Sequence, residues 1–69
     1  MKIEQDVKEL VVENEALIYS IVKKFKGDVE DLFQVGCIGL IKAYNNYDES
    51  FNTKFTTYAY RYIFGEIYQ

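Results

Sequence analysis

Between Val7 and Phe25 the apolar residues fall at Val7, Leu10, Val11, Leu17, Ile18, Ile21, Val22 and Phe25. This spacing predicts one amphipathic helix, ended by Gly27. Asn14 lies on the same stripe and reads as a partly exposed or hydrogen-bonded polar residue at a seam. Asp28 then offers an N-cap, with Glu30 and Asp31 in the first turn, where carboxylates favour the positive end of the helix dipole. The pattern predicts a second helix from about Val29 to Asn46. Its broad core face gathers Val29, Leu32, Phe33, Gly36, Gly39, Leu40, Ala43, Tyr44 and Tyr47 at about 100° per residue. Glycine weakens a helix by roughly 1 kcal/mol relative to alanine, so Gly36 and Gly39 on that face imply that another helix approaches closely there.

The segment Asp48-Glu49-Ser50-Phe51-Asn52 breaks the period and reads as a short ordered loop. Beyond it, Thr53 or Thr56 is the expected cap of a third helix running to the end of the chain, with Ala59, Tyr60, Ile63 and Ile67 on its inner stripe. Dense Phe, Tyr and Thr leave strand as a lesser alternative. The expectation is a compact all-α, three-helix domain that buries Leu17, Ile21, Leu32, Leu40, Ala43 and Ile63.

Two faces do not fit a plain core. Opposite the core face of the second helix lie Asp31, Gln34, Ile38, Ile41 and Asn45, with Cys37 at the edge. Two isoleucines in register on an outer face fit a partner surface, with Asp31 and Gln34 supplying polar specificity. Scattered surface apolar residues or a dimer contact are the other readings. Opposite the inner stripe of the third helix come Thr57, Tyr58, Arg61, Phe64, Gly65 and Tyr68, with Tyr62 on the flank. Rings interleaved with an arginine fit single-stranded nucleic acid, where stacking contributes about 1–3 kcal/mol per base. For any single ring, packing in the small core is the better explanation. Rings on opposite sides of one helix cannot all face one core.

Length and composition narrow the class. The chain has 69 residues, 49% hydrophobic and 17% aromatic with no proline, enough for one small domain and unlike a disordered or linker-like chain. Lys2 is followed by Glu4, Asp6 and Glu9 where a signal peptide would be apolar, and no apolar run approaches a membrane span, so the expected location is cytoplasmic. With one cysteine and no histidine, neither a disulfide nor the usual metal and His-based catalytic sets are available, and the chain is read as neither an enzyme nor a cofactor protein. The net charge of -3 argues against holding duplex DNA by phosphate neutralisation. Residues 1–49 carry six lysines against ten carboxylates, suiting a basic protein partner, whereas Lys54 and Arg61 outnumber Glu66 in residues 50–69.

The run Asp31-Leu32-Phe33-Gln34-Val35-Gly36-Cys37-Ile38-Gly39-Leu40-Ile41-Lys42-Ala43 resembles the segment of sigma-70-family factors written DLxQxGxxGLxKA. Tyr47-Asp48 matches the aromatic-Asp turn that follows it, and Lys54-Phe55-Thr56-Thr57-Tyr58-Ala59 resembles the family's KFSTYA. With the helix from Asn14 to Gly27, the resemblance covers nearly the whole chain, read as region 2 (regions 2.1 to 2.3 and the start of 2.4) over residues 1–69 of a longer protein. It implies that region 2.2 docks on the coiled-coil clamp helices of the β′ subunit of core RNA polymerase through Asp31, Gln34, Val35, Cys37 and Ile41, with Ile38 on the same face. Region 2.3 is then expected to capture the flipped adenine and non-template single strand of the -10 promoter element through Phe55, Tyr58, Arg61 and Tyr62. Thr57 lies beside them and Lys54 meets backbone phosphate.

Primary factors carry two tryptophans where this chain has Arg61 and Tyr62. The ending Ile63-Phe64-Gly65-Glu66-Ile67 resembles the alternative factors of spore-forming bacteria. An anti-sigma factor is a further candidate partner. Two competing functions remain at this point: a protein-interaction module that binds polymerase or an anti-sigma factor without DNA, and a three-helix duplex-binding domain. The latter is disfavoured by the acidic charge and the absence of a basic recognition helix.

Overall fold

The computed structural model describes residues 6–69, so Lys2, Glu4 and the rest of residues 1–5 lie outside it. The described chain is all-helical: α1 (Val7–Glu13), α2 (Glu15–Val22), α3 (Val29–Asn46) and α4 (Phe55–Tyr68). The class is the expected one and the helix count is not, because the first stripe is cut in two at Asn14. There the backbone leaves the helical region, at φ -116° and ψ 16°. The Asn14 side chain donates from Nδ2 to the Leu10 carbonyl at 2.9 Å, while its backbone N–H reaches Val11 instead. A side-chain amide has taken the acceptor that the helix ladder needed.

α2 ends at Val22, earlier than the periodicity through Phe25 suggests. After Val22 the chain tightens, with Lys24 N–H donating to Ile21 and Phe25 N–H to Val22 at 3.0 Å each. Gly27 then takes φ 134°, which side-chain-bearing residues rarely adopt, and turns the chain towards α3. Asp28 accepts from the backbone N–H groups of Glu30 (2.9 Å) and Asp31 (3.2 Å), so α3 begins and ends where the sequence places it.

The 48–53 connection is organised by Asp48, which accepts from Ser50 N–H through Oδ1 (2.8 Å) and from Phe51 N–H through its carbonyl (2.9 Å). Neither threonine caps α4. Lys54 is the N-cap residue and makes no side-chain capping bond. Thr53 lies one residue before it, with its carbonyl accepting from the Tyr47 hydroxyl at 2.6 Å, and Thr56 is already inside the helix.

The core comprises Leu10, Ile18, Ile21, Val22, Leu40, Ala43, Ala59 and Ile63. Leu17 and Leu32, expected there, are only half-buried. Leu17 opens onto a surface recess shared with Thr56, Thr57, Tyr60 and Arg61. Leu32 sits at the end of the domain beside Gly27, in the first turn of α3.

α3 and α4 form the principal pair, and the two helical glycines set their approach. A Cβ on Gly39 would lie 2.8 Å from both the Ile63 Cα and the Tyr62 carbonyl oxygen of α4. At Gly36 it would lie 2.8 Å from Ile18 Cγ2, a side-chain atom with more freedom to move. Gly65 has open space around it. We expect Gly39→Ala to lower stability, because the overpacking cost of about 1–3 kcal/mol exceeds the gain in helix propensity. Gly65→Ala should gain up to about 1 kcal/mol. Urea unfolding midpoints moving in opposite directions check this; a shared upward shift contradicts the close approach at Gly39.

Candidate functional site

Asp31, Gln34 and Asn45 are exposed on the outer side of α3, and Ile38 stays 48% exposed between them. Val35, Cys37 and Ile41 are half-buried, and Cys37 and Ile41 pack against the core. The accessible stripe is therefore Asp31, Gln34 and Ile38, with the other three as shoulders. Burial, reinforced by the Glu15 carboxylate, pushes the Cys37 thiol above its ordinary pKa. It stays protonated at neutral pH and acts as a small apolar group. On the adjoining α2–α3 seam, Tyr19 stacks on Phe33 with ring centroids 4.6 Å apart.

On α4, Lys54, Thr57 and Arg61 are exposed, whereas Phe55, Tyr58 and Tyr62 are half-buried. Tyr58 is the hub of a ring cluster. Its centroid lies 5.3 Å from Tyr47, 5.4 Å from Phe51 and 5.1 Å from Tyr62. Phe55 is turned edge-on to Tyr44 and Tyr47, which makes it a support for the cluster. The Tyr58 hydroxyl lies 3.4 Å from both the Asn46 carbonyl and the Tyr62 hydroxyl, and its single hydrogen donates to one or the other. The hydrogen bond with Tyr62 is the main reason the Tyr58 pKa is raised, followed by desolvation and by the Tyr62 charge.

A recess of about 130 Å³ lies beside Tyr58, bounded by Thr53, Thr57 and Arg61. A second, of about 390 Å³, opens between α3 and α4 and is lined by Lys42, Arg61, Tyr62, Gly65, Glu66 and Gln69. Lys42 pairs with Glu66 across it at 3.2 Å. These contacts bring Tyr58, Arg61 and Tyr62 to one surface, as the sequence suggests. They also add Tyr47, which the sequence placed on the core face of the predicted second helix, and Phe51, which it placed in the loop; the signal was a ring at roughly every fourth position through Tyr47, Phe51, Phe55, Tyr58 and Tyr62.

One grouping made from the sequence is corrected. Phe64 and Tyr68, placed with Tyr58 on one face, stack on a different side with Tyr60. Tyr60, placed on the inner stripe, is only half-buried. Among the described residues no group of His, Cys, Asp or Glu could hold a metal ion, and no helix is long and apolar enough to cross a membrane.

The Sigma-70 region 2 family matches residues 10–69. RNA polymerase sigma-G factor of Bacillus subtilis (strain 168) is 52% identical over 61 residues, covering 84% of this chain and 24% of that protein. RNA polymerase sigma-F factor of Bacillus licheniformis is 41% identical over 68 residues, covering 93% and 27%. RNA polymerase sigma-K factor of B. subtilis (strain 168) is 46% identical over 61 residues, covering 84% and 21%. No solved structure matches. The chain thus spans about a quarter of the length of these relatives. The motifs of α3 and α4, the helical fold that carries them and these likenesses agree, and the chain belongs to the sigma-70 family as a region 2 domain similar to those of sigma-G, sigma-F and sigma-K factors.

Proposed function

We propose that this domain serves transcription initiation by binding core RNA polymerase through α3 and by recognising and melting the -10 promoter element through α4. The observation that carries the reading is the separation of two unlike surfaces on one closely packed helix pair. One is an acidic and apolar stripe of Asp31, Gln34 and Ile38; the other is an aromatic cluster centred on Tyr58 with Arg61 at its edge. The first fits the clamp helices of the polymerase β′ subunit, an exposed isoleucine being flanked by groups able to pair with a basic partner. The second fits the non-template single strand. Tyr58 and Tyr62 supply ring faces, Arg61 a cation–π or phosphate contact, Lys54 a phosphate contact and Thr57 a hydroxyl beside the recess.

Capturing a base first requires unstacking it, at a few kcal/mol, and an aromatic platform returns a comparable amount only after the strand opens. Arg61 and Tyr62 replace the tryptophan pair of primary factors with a narrower wedge. Opening in this reading leans on polymerase and on the promoter sequence, and the isolated domain leaves duplex closed. The second reading, a module that binds polymerase or an anti-sigma factor without touching DNA, is favoured by the acidic balance of residues 1–49 and shares the α3 surface.

Ile38→Asp should weaken binding to core polymerase by about tenfold or more, equivalent to about 1.4 kcal/mol, without lowering the unfolding midpoint. Ile41→Asp is the poorer probe because Ile41 also packs on the core. Gln34→Ala should act in the same direction, and added salt should weaken binding by the wild type. Undiminished pull-down of core polymerase by Ile38→Asp rejects the α3 assignment.

Tyr58→Ala should reduce opening by the complete holoenzyme, read as permanganate reactivity of -10 thymines, while polymerase binding persists. Tyr58→Phe keeps the ring and loses only a hydroxyl whose contacts are long, so it should open promoters nearly as wild type does. Equal opening by wild type and Tyr58→Ala would remove the base-capture role and favour the DNA-independent module.

A further inference from the structure

A third surface is left over once both proposed faces are assigned. Tyr60, Phe64 and Tyr68 form a ladder on α4, with centroids 6.1 and 6.2 Å apart and planes within 18° and 19° of parallel. Tyr68 is 75% exposed at its end. Phe64 is met from outside α4 by Phe25, at 5.0 Å between centroids. Phe25 belongs to the turn after α2, and that turn also carries Lys23, Lys24 and Lys26, all exposed. Three of the chain's eight basic residues are thereby concentrated beside a column of aromatic rings in a protein of net charge -3. Arg61 joins the column from the side, lining an apolar recess of about 310 Å³ with Tyr60, Phe64 and Gly65. The nearest carboxylate in sequence, Asp28, is turned to the N-terminus of α3, where it accepts two backbone hydrogen bonds.

We infer that the Lys23–Lys26 turn and the Tyr60–Phe64–Tyr68 ladder form a second contact surface for single-stranded nucleic acid, independent of its base sequence. Charge complementarity calls for a polyanion. The ladder selects which kind: four residues of helix rise about 6 Å, close to two rises of about 3.4 Å along a stacked strand. Rings at that interval can interleave with bases while the lysines follow the phosphates. A carboxylate-rich peptide would satisfy the lysines and leave the rings unused. The surface lies on a different side of α4 from the Tyr58–Tyr62 cluster, so the inference does not depend on base capture at Tyr58.

The test is fluorescence anisotropy of a labelled twelve-nucleotide oligothymidylate titrated with the 69-residue chain over a range of salt concentrations. The exposed lysines allow a Lys23→Gln, Lys24→Gln, Lys26→Gln variant with little risk to the fold. It should bind roughly tenfold more weakly, with a salt slope shallower by about 2, since each lysine on a single strand contributes about 0.7. Tyr68→Ala should weaken binding at least about fivefold and leave the slope unchanged, as expected for lost stacking. The triple lysine substitution should lower the slope by the same amount in a Tyr58→Ala background, so failure of the promoter-opening test and failure here are separate results. No binding by the wild type at low salt, equal binding by the triple variant, or equal affinity for a polyglutamate peptide would each overturn the inference.

Discussion

The contact on which the rest of this small domain depends is the approach of α3 to α4 at Gly39. No side chain separates the two backbones there, and the space a Cβ would need is occupied by the Ile63 Cα and the Tyr62 carbonyl. Close contact seats Leu40 and Ala43 against Ala59 and Ile63, all fully buried, and fixes the rotation of each helix about its axis. Once rotation is fixed, so is the direction of everything outside the core. Asp31, Gln34 and Ile38 point away from α4, and Tyr58 and Tyr62 are set on the side that the 47–54 segment can reach. A helical glycine costs roughly 1 kcal/mol in propensity, and here that cost is offset by packing.

A domain of this size buries a limited core, and the rings extend it. Aromatic clusters flank the α3–α4 pair: Tyr47, Phe51, Phe55, Tyr58 and Tyr62 on one side, Phe25, Tyr60, Phe64 and Tyr68 on another. These rings are half-buried or exposed, so they stabilise the fold while leaving faces available to a ligand. For Tyr58, packing in the cluster and the proposed contact with a base are compatible, because its ring is only half-buried. The Tyr47 hydroxyl on the Thr53 carbonyl and the Tyr58 hydroxyl near the Asn46 carbonyl tie the connecting segment to this cluster.

What the sequence made legible is local and periodic. Asp28 with Glu30 and Asp31 marks a helix start by a mechanism confined to four residues, and α3 follows as expected. Gly36 and Gly39 on a core stripe announced a close neighbour without identifying it. The Asn14 break was hidden because apolar spacing runs through it undisturbed, whereas the side-chain bond to Leu10 that accompanies the break leaves no trace in the pattern. Leu17 and Leu32 lie on correct stripes but at the rim, and a stripe gives direction without depth. The cap of α4 and the joining of Tyr47 and Phe51 to Tyr58 depend on how the 48–53 segment folds back, which no helical period encodes. At the candidate site, the outward direction of Asp31, Gln34, Ile38 and Arg61 was readable, whereas the supporting role of Phe55 and the separate Phe64–Tyr68 ladder were not.

In the proposed function, α3 and α4 carry two surfaces that are occupied at once, held apart by the close contact at Gly39. The most direct measurement is a titration of a fluorescent single-stranded -10 oligonucleotide onto the domain, alone and with core polymerase present at saturation. The account predicts a ternary complex in which the strand binds at least as tightly as it does to the domain alone. Displacement of the oligonucleotide by polymerase, with the two ligands competing for one surface, would contradict it.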